Sequence, residues 1–130
     1  NNFYQELGIK HTISDFFHNI HEIYADSDLA ITRSGSGTVA ELVTIGLPSI
    51  FIPFPYAMED HQYYNAKALE DSGASWCYRQ ETLTPEILAN KILTLINNSK
   101  LLIAASENMI KRKSNGTKYL ADTVLKIIQR

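Results

Sequence analysis

Cysteine is nearly absent from the chain. Cys77 is the one thiol in 130 residues, so no internal disulfide can form, and a reducing compartment is the simple expectation. Its neighbours Trp76 and Tyr78 suggest a packed strand rather than a reactive thiol. An excess of one charge is missing too. Lys and Arg number 12 against 14 Asp and Glu, a formal net charge of −2, which argues against a nucleic-acid partner held by general electrostatics. No apolar run approaches the roughly 20 residues needed to cross a bilayer. The longest, Leu47 to Phe54, is short and broken by Pro48 and Pro53. The opening Asn1-Asn2-Phe3-Tyr4-Gln5-Glu6 has no basic stretch followed by an apolar one and no initiator Met, so no secretory signal is expected. Internal repeats, low-complexity tracts and linkers are lacking. His11, His18 and His21 show no ligand spacing with Cys77 or with acids, and no metal site is expected. Ser34 lacks a His/Asp partner pattern, and Ser34-Gly35-Ser36-Gly37 is not GxSxG, which argues against a serine hydrolase.

What is present suits one globular domain: 45% of residues are hydrophobic and 20% charged. Short β-branched segments alternate with helical ones. Lys10 to Phe16 is predicted as a strand, and His18 to Asp26 as a helix with Ile20, Ile23 and Tyr24 on one face. Leu29 to Thr32 is a short strand, followed by a tight turn at Gly35-Ser36-Gly37 and a helix from Thr38 to about Ile45. Gly46 ends that helix and Pro48 cannot continue it. Ser49 to Ile52 is apolar on both faces, as expected of a parallel strand covered by helices. Glu59 to Ser72 is a helix ended by Gly73, and Ala74 to Tyr78 a last strand. Helices over Pro85 to Ile96, Leu101 to about Lys113 and Lys118 to Ile128 close the chain. The alternation predicts an α/β fold with a parallel, Rossmann-like sheet. Four strands are fewer than the five or six usual in such sheets. The expectation is therefore an incomplete sheet whose two missing strands belong between the first strand and the rest.

The segment Thr32-Arg33-Ser34-Gly35-Ser36-Gly37-Thr38-Val39-Ala40-Glu41-Leu42 runs from strand through small-residue turn to helix. Gly35 and Gly37 permit close approach, Ser36 and Thr38 are good caps, and unpaired amides at a helix start bind phosphate. A plain capped strand-to-helix turn has the same composition. The segment is not GxxxxGK[ST], because no Lys follows the glycines, and it is not GxGxxG. Glu41 shares a helix face with Thr38 and can accept two hydrogen bonds from a ribose diol, although an acid near a helix start is common for other reasons.

A second cluster, Pro53-Phe54-Pro55-Tyr56-Ala57-Met58-Glu59-Asp60-His61-Gln62-Tyr63-Tyr64-Asn65-Ala66, leaves the next strand. Ligands of open α/β sheets bind beyond the carboxyl ends of strands, so both segments should face one crevice. Asp60, His61, Gln62 and Asn65 carry the directional polar groups that read sugar hydroxyls. The alternative is a polar helix start.

Taken together, Arg33 to Leu42, Gly46 to Pro55, Asp60 to Ala66 and Leu69 to Ala74 resemble the MurG family in order and spacing, over about Ile9 to Arg130. Each piece alone is shared more loosely with other two-domain (GT-B) glycosyltransferases. The resemblance implies the C-terminal domain of an inverting hexosyltransferase that moves GlcNAc from UDP-GlcNAc to lipid-linked N-acetylmuramyl-pentapeptide, completing lipid II for peptidoglycan. It implies work at the inner face of the bacterial membrane and no cofactor. Glu41 would bind the ribose, amides around Ser36, Gly37 and Thr38 the diphosphate, and Phe17 the uracil through its backbone. Gln62 and Asn65, with Asp60 and His61 beside them, would hold GlcNAc, while Arg33 and Ser34 shape the turn. At the position of His61 the family often has glutamine or histidine. The family's His/Gly-rich loop, proposed catalytic base and membrane-docking patch belong to its N-terminal domain and have no counterpart here, so no catalytic residue is assigned. A subunit of a two-chain GlcNAc transferase and a non-catalytic nucleotide-sugar module are the alternatives.

Overall fold

The computed structural model describes the backbone of residues 2–128 and the side chains of residues 3–113. The elements are α1 (Asn2–Glu6), α2 (Ile20–Ala25), β1 (Ala30–Thr32), α3 (Ser36–Ile45), β2 (Ser49–Phe51), α4 (His61–Asp71), β3 (Ser75–Cys77), α5 (Pro85–Ile96) and α6 (Ser99–Ile128). A 3-10 turn, Met58–Asp60, precedes α4, and another, Gln80–Thr82, follows β3. The sheet is parallel in the order β1-β2-β3, with Ile31 opposite Ile50 and Ile50 opposite Trp76.

Side chains alternate across the sheet, so Ala30, Phe51 and Cys77 share one face. That face packs on Leu42 of α3, Ala66 and Leu69 of α4, and Met109 of α6. On the other face Lys91 of α5 lies 5.1 Å from the Trp76 ring centroid. Ile50 is fully buried there, whereas Ile31 on β1 is 45% exposed. Helices on both faces explain why Ser49–Phe51 carries no polar alternation.

The two edges of the sheet differ. Every second amide of β3 points away from β2, and that of Cys77 donates to the Glu70 carboxylate at 2.7 Å. Lys67 holds the same carboxylate at 3.0 Å. This occupies one outward amide of the β3 edge. Burial, with Glu70 adding to it, pushes the Cys77 thiol up to about 11, so it stays protonated at neutral pH. On the β1 side no strand pairs among the described residues.

That observation corrects the expected strand at Lys10–Phe16. The segment is irregular and its hydrogen bonds are local: the His11 ring to Ile9 O at 2.7 Å, Ser14 Oγ to Phe16 O at 2.7 Å. Three strands are described rather than four. The two closing helices are one. α6 runs through Gly116, whose cost of about 1 kcal/mol relative to Ala is too small to stop a long helix. The apolar stripe expected at Tyr119, Leu120, Val124, Ile127 and Ile128 lies outside the described side chains.

α3 and α4 end alike, in glycines with left-handed backbones: Gly46 and Gly73, both at φ 74°. α6 holds both ends. Ser106 Oγ donates to Gly46 O at 2.6 Å, and Asn108 Nδ2 donates to Gly73 O at 3.0 Å. A Cβ on Gly46 would sit 3.1 Å from Ile110 Cγ1, and one on Gly73 would sit 2.8 Å from Asn108 Nδ2.

Candidate functional site

The carboxyl ends of the three strands gather the candidate residues other than Phe17. β1 leads into Arg33 and Ser34, and α3 begins at Ser36, two residues earlier than expected. Gly35 takes the capping position in extended conformation (φ −62°, ψ 150°) and makes no side-chain cap bond. The first amides of a helix have no intrahelical partner, so those of Ser36, Gly37 and Thr38 face outward together. Nothing lies within 4 Å of where a Gly37 Cβ would be, so the helix start is open. Glu41 stands exposed on α3, three residues beyond Thr38.

The second loop is bound to this turn by amide side chains. Gln62 Oε1 accepts from Ser34 N at 3.2 Å and from Phe54 N at 2.9 Å. One oxygen thus joins the loops that leave β1 and β2. Ser34, fully buried, returns the contact by donating from Oγ to Gln62 O at 2.7 Å. Asn65 Nδ2 reaches Ser34 O at 3.2 Å and Ser36 Oγ at 3.4 Å. Arg33 donates to Ile52 O at 3.2 Å and Pro53 O at 3.3 Å, and its guanidinium lies 5.9 Å from the Phe54 ring centroid. Arg33 and Ser34 therefore shape the turn. Gln62 and Asn65 act first as braces. Among the described residues no hydrogen bond engages Gln62 Nε2 or Asn65 Oδ1.

The start of α4 differs from expectation. Helical geometry begins at His61, not Glu59, because Glu59 (φ 53°) and Asp60 (φ 56°) are left-handed. Asp60 occupies the capping position without capping. Its carboxylate accepts instead from Arg79 Nη2 at 2.8 Å and Nη1 at 3.5 Å. Arg79 comes just after β3, and its guanidinium lies 3.7 Å from the Tyr63 ring centroid. Sequence reasoning missed Arg79; the available signal was a cation immediately beyond a strand end on the same rim. His61 is exposed, with Nδ1 2.9 Å from Met58 O. Phe17 lies in the irregular segment before α2, half-buried, and no hydrogen bond or ring contact joins it to the rim among the described residues.

Two hollows among the described residues contain none of the nine candidate residues. One of about 490 Å³, beside β1, is lined by Ile31, Thr32, Arg33, Ile52, Gln80 and Leu83. The other, about 480 Å³, lies at the opposite end of the sheet between Asp28, Pro48, Ile96 and Ser106. Apart from Phe17, the candidate residues lie at the starts of α3 and α4, where Glu41 and His61 are exposed. No group of three His, Cys, Asp or Glu side chains that could hold a metal occurs among the described residues. No described helix is long and apolar enough to cross a membrane.

Residues 1–124 match the glycosyltransferase family 28 C-terminal domain. The chain is 48% identical over 125 residues to the UDP-N-acetylglucosamine--N-acetylmuramyl-(pentapeptide) pyrophosphoryl-undecaprenol N-acetylglucosamine transferase of Rickettsia massiliae, covering 96% of this chain and 33% of that protein. It is 44% identical over 127 residues to the Rickettsia bellii protein of the same name, covering 98% and 36%. The chain thus spans about a third of the length of these relatives. Among solved structures, Acinetobacter baumannii MurG superposes with a TM-score of 0.75 at 34% identity, over 91% of this chain and 36% of that one. The glycosyltransferase VinC, solved with dTDP, superposes at 0.62 with 21% identity over 81% and 27%, a likeness of fold.

Proposed function

The chain belongs to the glycosyltransferase family 28 C-terminal domains, and on that premise we propose that it is the UDP-GlcNAc-binding domain of an inverting MurG-type transferase. The diphosphate rests at the start of α3 on the amides of Ser36, Gly37 and Thr38. Glu41 accepts the ribose hydroxyls, and Phe17 meets the uracil through its backbone. Asp60, His61, Gln62 and Asn65 hold the GlcNAc hydroxyls. The acceptor is a lipid-linked N-acetylmuramyl-pentapeptide, held by an N-terminal domain that also supplies the base, at the inner face of the bacterial membrane. The acceptor hydroxyl attacks the anomeric carbon, the bond to the UDP oxygen breaks, and the configuration inverts. Negative charge that develops on the departing UDP meets fixed amides that need no reorganisation.

The observation that carries this reading is the double hydrogen bond of Gln62 Oε1 to Ser34 N and Phe54 N. It makes one surface of two loops, with a phosphate-type helix start on one side and sugar-type polar groups on the other. The names of the Rickettsia relatives, which describe GlcNAc transfer, support the choice of donor. Calorimetry of the chain with UDP and with UDP-GlcNAc tests it. Binding of both, lost in Glu41→Gln with melting unchanged, is expected. Failure to bind either ligand, or equal binding by parent and variant, overturns the reading.

A further inference from the structure

We propose that Arg79 is a positioning residue that sets selectivity for the sugar of the donor through the first turn of α4; this rests on the donor-site reading above. Four observations converge on it. Glu59 and Asp60 are consecutive left-handed residues without glycine's freedom, at 53° and 56°, a conformation that is costly for residues with a Cβ. Such a corner persists only when its surroundings over-determine it. The usual reason for aspartate before a helix is missing, because Asp60 makes no cap bond. Its carboxylate is instead gripped by Arg79 at 2.8 Å.

The guanidinium is itself clamped, with its plane carbon 3.7 Å from the Tyr63 centroid. Arg79 therefore touches two residues of the turn that contains His61 and Gln62. The ends of β1 and β2 already reach this turn through Gln62, and Arg79 adds the end of β3. The first turn of α4 is thus the hub of all three strand ends. The Gln62 bonds fix it relative to the phosphate-type turn. Arg79 fixes the corner that aims His61 and Asp60. Loss of Arg79 releases that corner while leaving the α3 start and Glu41 untouched, so sugar recognition weakens and nucleotide recognition does not.

The experiment compares the full 130-residue chain with Arg79→Ala and Arg79→Lys. UDP and UDP-GlcNAc affinities are measured by calorimetry, and hydrogen exchange of the amides of residues 59–63 is followed. Arg79→Ala is expected to weaken UDP-GlcNAc about tenfold, with UDP within twofold, and to speed exchange at the corner. Arg79→Lys keeps the charge without the planar stack and should recover part of both losses. Equal weakening of both ligands makes Arg79 merely structural and overturns the proposal, as does unchanged selectivity in Arg79→Ala. If the parent binds neither ligand, the donor-site reading fails and the sugar-selectivity role fails with it. Exchange then decides separately whether Arg79 holds the corner, and unchanged exchange refutes that too.

Discussion

The two ends of the sheet are held in different ways. At the carboxyl end, loops meet through single polar side chains: Gln62 Oε1 on two amides, Asn65 on Ser34 and Ser36, Arg79 on Asp60. At the amino end, α6 adds close packing to such bonds: Ser106 and Asn108 donate to the Gly46 and Gly73 carbonyls, and Ile110 fills the space beside Gly46. Side-chain hydrogen bonds are directional and individually modest, about 1 kcal/mol each. Close packing against backbone admits almost no change in volume. Bonds of the first kind can be altered with less effect on the fold than the packing of Ile110 against Gly46. The proposed donor site sits at the end of the sheet that is more easily tuned.

The largest effect that tests this contrast is at the amino end. Gly46→Ala combines a left-handed backbone with a Cβ 3.1 Å from Ile110 Cγ1, and the two together should cost roughly 2–4 kcal/mol. Thermal melting should drop by more than ten degrees, with the ratio of UDP to UDP-GlcNAc affinity unchanged; a change in that ratio breaks the separation. Next comes Glu41→Gln, which would remove the proposed charge-assisted pair with the ribose, worth about 1.5–3 kcal/mol. UDP affinity should fall about ten- to a hundredfold while melting stays put, because Glu41 is exposed on α3.

Gln62→Ala and Asn65→Ala sharpen the comparison, since both residues brace and both are proposed to bind. Each should weaken UDP-GlcNAc more than UDP and lower the melting temperature by a few degrees. Equal loss of both ligands would leave the two as braces alone. The smallest effect concerns Cys77. With its thiol pushed up to about 11, alkylation at pH 7 should be far slower in the native chain than in denaturant. The native preference for the neutral thiol stabilises fully below the unfolded value near 8.5 and is lost as pH rises towards 11. Melting should fall over that window, and Cys77→Ser should flatten the fall. Fast native alkylation would show that solvent reaches the core face of β3 at Cys77.

Much of the rim was legible because its signals are local. A small-residue turn between strand and helix, and a polar run after an apolar strand, need no knowledge of neighbours. The same locality misled at Lys10–Phe16, where β-branched and aromatic residues look like a strand. A strand needs a partner, and none pairs there among the described residues. Ser34 and Gln62 were assigned by residue type. That one oxygen joins two loops depends on β1 and β2 lying side by side, which no spacing reveals. Glu59 and Asp60 carry no mark of left-handedness, because what holds Asp60 comes from Arg79, 19 positions away. Gly46 and Gly73 were read correctly as helix stops, but not as seats for α6.

The grip of α6 on those two glycines bears on which changes in chain length the domain can absorb. Ala105 and Met109 are buried, while Ser106, Asn108 and Ile110 meet the glycines. All five positions depend on one angular phase. Adding or removing a residue just before Ala105 turns the rest of the helix by about 100°, so every anchor misses at once. Length variation among related sequences should therefore avoid the segment from Ala105 to Ile110 and gather in the loops, where a shifted residue displaces only itself.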